Sequence, residues 1–336
     1  MKKFLIVRLG SLGDVIHGIP TAAALRSRFP GAQIDWLVDP RYVELLELVE
    51  CIDTPIAFDP RLLGISGGDA LRVLKSLRVA RYDAVLDLQG LLKSAVLGRL
   101  VGGRQTIGFP RAHLREPLAR LFYTDAPDPG AALHVIHKNL GLLRSLDVTD
   151  RTVRFPIRIP QTDSVRLVAD RSGRDGYAVL NPGAAWPNKR WPPSDFGTVA
   201  AAIRDEHGWR SIVLWGPGEE ALASSVAAAS QGAADVAPAT TIADLVGIAE
   251  AAKLMISGDT GPIHIAGAVG TPIVALFGPT SPERNGPWAV RDVSLSRVAT
   301  CSCRYERRCR RAAPCIGEIT PEEVVRAVGQ RLSTHG

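Results

Sequence analysis

Long uncharged apolar runs are absent from this chain. The N-terminal run Phe4-Leu5-Ile6-Val7 is broken at Arg8 after four residues, which is too short for an export signal, and the alanine-rich stretch 221–252 carries Asp235, Asp244 and Glu250. It reads as soluble helices rather than a membrane span. Cysteine is scarce: five residues, an odd number, in 336. With no export signal, that usage points to reduced cytoplasmic thiols rather than a disulfide framework. No polar low-complexity tract and no repeat of fixed period occurs, so neither a disordered chain nor a solenoid is expected. The glycines at 10 and 13 do not have the G-x-G-x-x-G spacing of a dinucleotide site, which argues against hydride transfer.

What is present is a chain long enough for two domains, with 46% hydrophobic and 22% charged residues, as in an ordinary globular protein. The net charge of +6 is mild, but its distribution is not uniform: Arg104, Arg111, Arg115 and Arg120 face only Glu116 in one segment, and Arg304, Arg307, Arg308, Arg310 and Arg311 gather in another. Strand-like runs at Phe4–Leu9, Gln33–Val38 and Ala84–Leu88 alternate with helical periodicity. After a proline-punctuated stretch from Arg154 to Asp163 the alternation resumes at Tyr177–Leu180, Ser211–Trp215, Leu254–Ser257 and Pro272–Phe277. Such alternation predicts parallel strands joined by helices, with ligands at the carboxyl ends of the strands. Each of the last four runs ends in a glycine-bearing turn, which predicts a ligand rim on one sheet edge. Asp39-Pro40 reads as an ordinary turn, and Thr320-Pro321-Glu322-Glu323 as the start of a closing helix.

Four segments could carry chemistry. Gly10-Ser11-Leu12-Gly13-Asp14 places one carboxylate between a strand and a helix expected from Val15, where backbone N–H groups favour its ionised form; Asp14 is the first candidate for a general base. In Asp259-Thr260-Gly261-Pro262-Ile263-His264, Asp or Thr can cap the coming helix and Gly261 admits a ligand to the backbone, making an anion socket that a nucleotide diphosphate would fit, with His264 one turn further on. Lys189, in Asn188-Lys189-Arg190-Trp191, would meet a phosphate as a point charge, unless the segment is only a solvated basic loop. Glu219 and Glu220, after Trp215-Gly216-Pro217-Gly218, could accept sugar hydroxyls or be plain first-turn helix acids. No Asp-x-Asp triplet occurs, so phosphate charge has to be met by a helix start and cations; no metal and no cofactor is expected at this site. Cys301, Cys303, Cys309 and Cys315 supply enough ligands for a metal but lack the usual C-x-x-C pairs. The alternative is a thiol-rich, Arg-rich surface loop. As a nucleic-acid module that segment has only Tyr305 as an aromatic and no finger spacing, and no nucleic-acid partner is expected.

The segments Leu5–His17 and Gly258–His264 resemble the ADP-heptose:lipopolysaccharide heptosyltransferases of glycosyltransferase family 9 over nearly the whole chain. Ile34–Val38, Tyr82–Ala95 and Arg115–Tyr123 are similar to acceptor-domain motifs of its heptosyltransferase I branch. The resemblance implies an α/β GT-B fold with two Rossmann-like domains whose parallel sheets face an interdomain cleft: acceptor domain 1–158, nucleotide-sugar domain 159–318, and a terminal helix, 319–336, packing back toward the first domain. It implies Asp14 as general base; Lys189, Glu220, Asp259, Thr260, Gly261 and His264 as the ADP-heptose site; and Gly13, Lys93, Arg115 and Arg120 toward a Kdo-lipid A type acceptor. It also implies a cytoplasmic enzyme in peripheral contact with the inner membrane. Asn181-Pro182-Gly183-Ala184 and the four-cysteine segment are similar to other branches of the family. Heptosyltransferase II or another acceptor sugar therefore stays open, as does a GT-B sugar-nucleotide epimerase.

Overall fold

A computed structural model describes residues 1–59, 67–131, 134–173 and 175–333. The chain divides into two units, Met1–Arg158 and Ile159–Gly336.

The first unit holds five strands, β1 (Lys3–Val7), β2 (Gln33–Val38), β3 (Thr54–Ala57), β4 (Ala84–Asp87) and β5 (Gln105–Ile107), in the order β3-β2-β1-β4-β5. Every pairing is parallel. Helices cross between strands, among them α1 (Leu12–Arg28), α2 (Val43–Glu47), α3 (Gly67–Ala80) and α4 (Leu92–Val101), with α5 (Val135–Gly141) packed on α1. Phe4 to Val7 are buried on both faces, and this double coverage is why the strand reads as an unbroken apolar run. The order of the strands reverses between β1 and β4, where Val7 pairs with Asp87. In a sheet of this kind that reversal opens the crevice ligands use.

The second unit repeats the plan with β6 (Tyr177–Asn181), β7 (Arg210–Val213), β8 (Ala234–Val236), β9 (Leu254–Gly258), β10 (Ile273–Phe277) and β11 (Val293–Ser296). The order is β11-β10-β9-β6-β7-β8, again all parallel, and its reversal lies between β6 and β9, where Asn181 pairs with Ser257. The crossing helices are α6 (Asp163–Ser172), α7 (Pro193–His207), α8 (Glu220–Ala229), α9 (Ile242–Ala251), α10 (Gly261–Val269) and the short α11 (Pro282–Asn285). The four glycine turns follow β6, β7, β9 and β10, four neighbouring strands, so they share one sheet edge.

The closing helix α12 (Pro321–Ser333) starts on a reciprocal cap: the Thr320 N–H donates to the Glu323 carboxylate (2.8 Å) and the Glu323 N–H to the Thr320 hydroxyl (3.3 Å). This helix, for which the resemblance implied packing toward the first domain, buries Val324, Ala327 and Val328 in the second unit's core with Trp191, Phe196 and Ile319. No helix among the described residues is long and apolar enough to cross a membrane.

Candidate active site

In the first unit the candidate base, Asp14, follows β1 at the β1/β4 reversal. Helix α1 begins at Leu12, three residues before the start the sequence suggested, because Ser11 serves as its N-cap and draws Asp14 into the first turn. The Ser11 N–H (3.1 Å) and hydroxyl (3.0 Å) both donate to one Asp14 oxygen, while the Arg8 guanidinium pairs with the other at 2.5 Å. Arg8 is itself buried and anchored by a hydrogen bond to the Leu88 carbonyl at the end of β4. An ionised carboxylate offers about four acceptor positions. Three are taken, which fixes the group's direction and leaves room for one further donor.

Next to it, Asp87 closes β4 as a buried carboxyl. The Gln89 and Gly90 N–H groups (2.9 and 3.1 Å), the Ser94 hydroxyl (2.9 Å) and the Tyr123 hydroxyl (2.7 Å) all donate to it. Burial raises its pKa against the pull of those donors, and the neighbouring carboxyl in turn raises that of Tyr123, whose own burial is the larger cause. Asp87 thus ties the β4 turn to the 3-10 helix Pro117–Phe122. Its sequence signal was a lone acid inside an apolar strand. Tyr123→Phe removes one donor from a buried acceptor and is expected to lower unfolding free energy by ~1–3 kcal/mol, read by urea denaturation. A change near zero would mean that the tyrosine hydroxyl contributes nothing to the turn.

Of the acceptor-side candidates, Lys93, Arg115 and Arg120 lie on or beside α4 and the 3-10 helix Pro117–Phe122, which pack on each other, whereas Gly13 lies in α1. Gly13 is buried inside α1; Lys93 and Arg115 are exposed on α4 and ahead of the 3-10 helix; Arg120 is half-buried and donates to the Tyr123 carbonyl (2.9 Å). The acid among them, Glu116, accepts from the Leu92 N–H at 2.7 Å and so caps α4.

In the second unit the β6/β9 reversal carries a denser network. Asn181 donates to the Ser257 and Thr260 hydroxyls, each at 3.0 Å, fastening the two strand ends together. Asp259, expected as a possible cap for α10, does not cap it. Its carboxylate turns back and accepts from the Lys189 ammonium (2.5 Å), the Thr280 hydroxyl (2.7 Å) and the Asn285 amide (2.6 Å). His264, one turn further on, is buried with Nε2 3.5 Å from the same carboxylate. Burial pushes Asp259 up, but the His264 and Lys189 contacts outweigh it and hold the acid well below the usual carboxylate range. Thr260 is the N-cap residue, yet its side chain makes no capping bond. The N–H groups at Gly261 and beyond therefore open the helix without a capping side chain, the arrangement that attracts an anion.

Lys189 ends a short 3-10 turn, Pro187–Lys189, and its ammonium also lies 4.7 Å from the Trp186 ring centre. Of the two adjacent glutamates, Glu219 rather than Glu220 occupies the glycine turn: it pairs with Arg190 (3.0 Å) and accepts from the Gly216 N–H (3.3 Å), whereas Glu220 is exposed in the first turn of α8. A Cβ at Gly183 would lie 2.0 Å from the Glu219 carboxylate, so only glycine admits that contact. Thr280, Asn285 and Glu219 are the site residues that sequence reasoning missed or passed over. The cysteine segment is not a surface loop throughout. Cys301, Cys303 and Cys315 are buried and pack with Cys309, the first two sulfurs 3.5 Å apart. Among the described residues no three His, Cys, Asp or Glu side chains are placed to hold one metal ion.

A family profile for glycosyltransferase family 9 (heptosyltransferase) matches residues 70–313. The chain belongs to glycosyltransferase family 9. Its fold is accordingly GT-B, and the protein is a glycosyltransferase. Lipopolysaccharide heptosyltransferase 1 of Pseudomonas aeruginosa is 30% identical over 317 residues, covering 91% of this chain and 87% of the relative. Among solved structures, the E. coli heptosyltransferase WaaC with ADP-2-deoxy-2-fluoro heptose is 25% identical with a TM-score of 0.74, covering 99% of this chain and 100% of that one. A family 9 transferase from Veillonella parvula superposes with a TM-score of 0.84 at 22% identity, covering 99% and 98%. The profile match starts after Asp14, so the N-terminal turn rests on its own motif and geometry.

Proposed function

We propose that this transferase moves heptose from ADP-L-glycero-D-manno-heptose to Kdo of the lipopolysaccharide inner core, with inversion and without a metal, at the cytoplasmic face of the inner membrane. One observation carries the reading: each sheet puts its charged groups at its own reversal point, a clamped carboxylate in the first unit and a cation beside an uncapped helix start in the second. The donor class is supported by the likeness, over 91% of this chain, to a lipopolysaccharide heptosyltransferase 1 and by the likeness to a heptosyltransferase solved with ADP-2-deoxy-2-fluoro heptose.

In this reading the Kdo hydroxyl gives its proton to Asp14 as its oxygen attacks the heptose anomeric carbon. The bond from that carbon to the diphosphate oxygen breaks on the opposite face, and ADP departs with the electron pair. Arg8 and Ser11 aim the base. Charge growing on the diphosphate is met by the N–H groups at Gly261 and by Lys189, groups already in place before reaction and so effective without reorganisation. Asp259, Thr280, Asn285 and His264 hold Lys189 and the α10 start in position. Lys93, Arg115 and Arg120 meet the carboxylates and phosphates of the acceptor.

The test is transfer from ADP-heptose to Kdo2-lipid A by the purified enzyme, with and without EDTA. Turnover that persists in chelator is expected, because no step uses a metal; abolition by EDTA with recovery on adding magnesium would overturn metal independence. Incubation with donor alone is expected to leave the sugar intact, whereas its conversion to an epimer would make the protein an isomerase.

A further inference from the structure

We infer that the outer face of α4 and the 3-10 helix Pro117–Phe122 form a docking surface for an anionic phospholipid bilayer. In a 3-10 helix residues three apart eclipse each other, so Leu118 and Leu121 stand on one edge, and they are 61% and 78% exposed while Ala119 beside them is fully buried. Helix α4 packs against this segment, and the Leu92 N–H bonded to Glu116 ties its first turn to the chain just ahead of it. On α4, Ser94, Ala95, Leu97, Gly98 and Val101 are buried, which leaves Leu92, Lys93, Arg99 and Leu100 on the outward stripe.

Single exposed leucines are common on soluble proteins. Here they stand in pairs on two packed elements, inside a stretch, residues 92–121, that holds six cations and one acid. Lys93, Arg99, Arg111 and Arg115 of that set are exposed. Apolar side chains rimmed by lysine and arginine match a membrane interface, where the leucines enter the acyl boundary and the cations meet lipid phosphates. A neutral protein partner would gain nothing from the charge excess. The proposed function gives the enzyme a peripheral membrane location; this inference rests on that reading only for the side of the bilayer, and it assigns the contact to named residues.

The experiment is flotation of the full chain with vesicles containing phosphatidylglycerol and no lipid A, against vesicles of phosphatidylcholine alone, without donor sugar. Binding to the anionic vesicles that weakens as salt is raised is expected, with little binding to the neutral ones. Leu118→Asp with Leu121→Asp should lower vesicle affinity about tenfold or more. The milder Leu118→Ser with Leu121→Ser covers the case where the acidic pair disturbs folding, and Arg99→Glu with Arg111→Glu should flatten the salt dependence. Wild-type protein that stays unbound, a serine pair that binds as wild type, or leucine substitutions that dissociate a dimer and leave flotation unchanged would each overturn the inference. The proposed function fails separately: vesicle binding with no transfer from ADP-heptose sinks the sugar assignment and leaves the docking surface standing.

Discussion

Asp14→Ala is expected to lower kcat by about two to four orders of magnitude while ADP affinity stays within about twofold of wild type. Proton removal from the attacking hydroxyl is the step a positioned base accelerates, and ADP binding is assigned wholly to residues of the second unit. Loss of the carboxylate also strips Arg8 of its partner, a buried cation whose other anchor is the Leu88 carbonyl. An uncompensated charge of that kind destabilises a fold, so turnover has to be read beside thermal unfolding. Asp14→Asn separates the two effects: the amide is nearly isosteric and can still accept from Ser11, but it cannot take the proton. A loss of turnover in Asp14→Asn with an unfolding midpoint near wild type isolates the chemistry. Full activity in a folded Asp14→Asn enzyme would place the base on another residue.

The strands legible in the sequence were the central ones. β1, β2, β4, β6, β7, β9 and β10 are flanked on both sides in their sheets, and their residues form the apolar runs that parallel strands covered on both faces require. The strands the sequence did not reveal, β3, β5, β8 and β11, are the four sheet edges. They are three or four residues long, and β3 and β11 are half-exposed, so neither length nor hydrophobicity marks them.

The site divides the same way. The turns that carry the candidates Asp14, Lys189 and Asp259 were legible because their glycine or proline spacing is local. Which of Glu219 and Glu220 turns inward depends on where α8 starts its rotation, and the exchange of hydrogen bonds between Asp259, Thr280 and Asn285 spans 21 and 26 residues of chain. Side-chain partners at that separation leave no periodic trace. The expected cap failed for the same reason: in isolation the turn offers Asp259 only the helix, but the folded unit offers it a lysine, a hydroxyl, an amide and an imidazole.

The lysine of that cluster gives the second large effect. Lys189→Ala is expected to weaken ADP binding by roughly ten- to a hundredfold, the worth of a charge-assisted hydrogen bond to phosphate. It should also destabilise the protein, by up to about 3 kcal/mol, because Asp259 is 5% exposed and would keep its charge with only Thr280, Asn285 and His264 to meet it. The pH dependence follows from the direction of the shift. Asp259 is held below its ordinary pKa in the folded chain, so between the two values the unfolded chain binds more protons and stability rises with pH. The contribution is complete above the unfolded value of about 4 and drains away as pH falls below it. In Lys189→Ala the depression shrinks, and stability between pH 4 and neutrality should fall toward that of the acid form. A double variant, Lys189→Met with Asp259→Asn, removes both charges and should recover much of the lost stability without recovering ADP affinity. Titration calorimetry with ADP on that double variant decides the matter: near wild-type affinity in a stable protein would show that the ammonium meets no phosphate and serves only to neutralise Asp259.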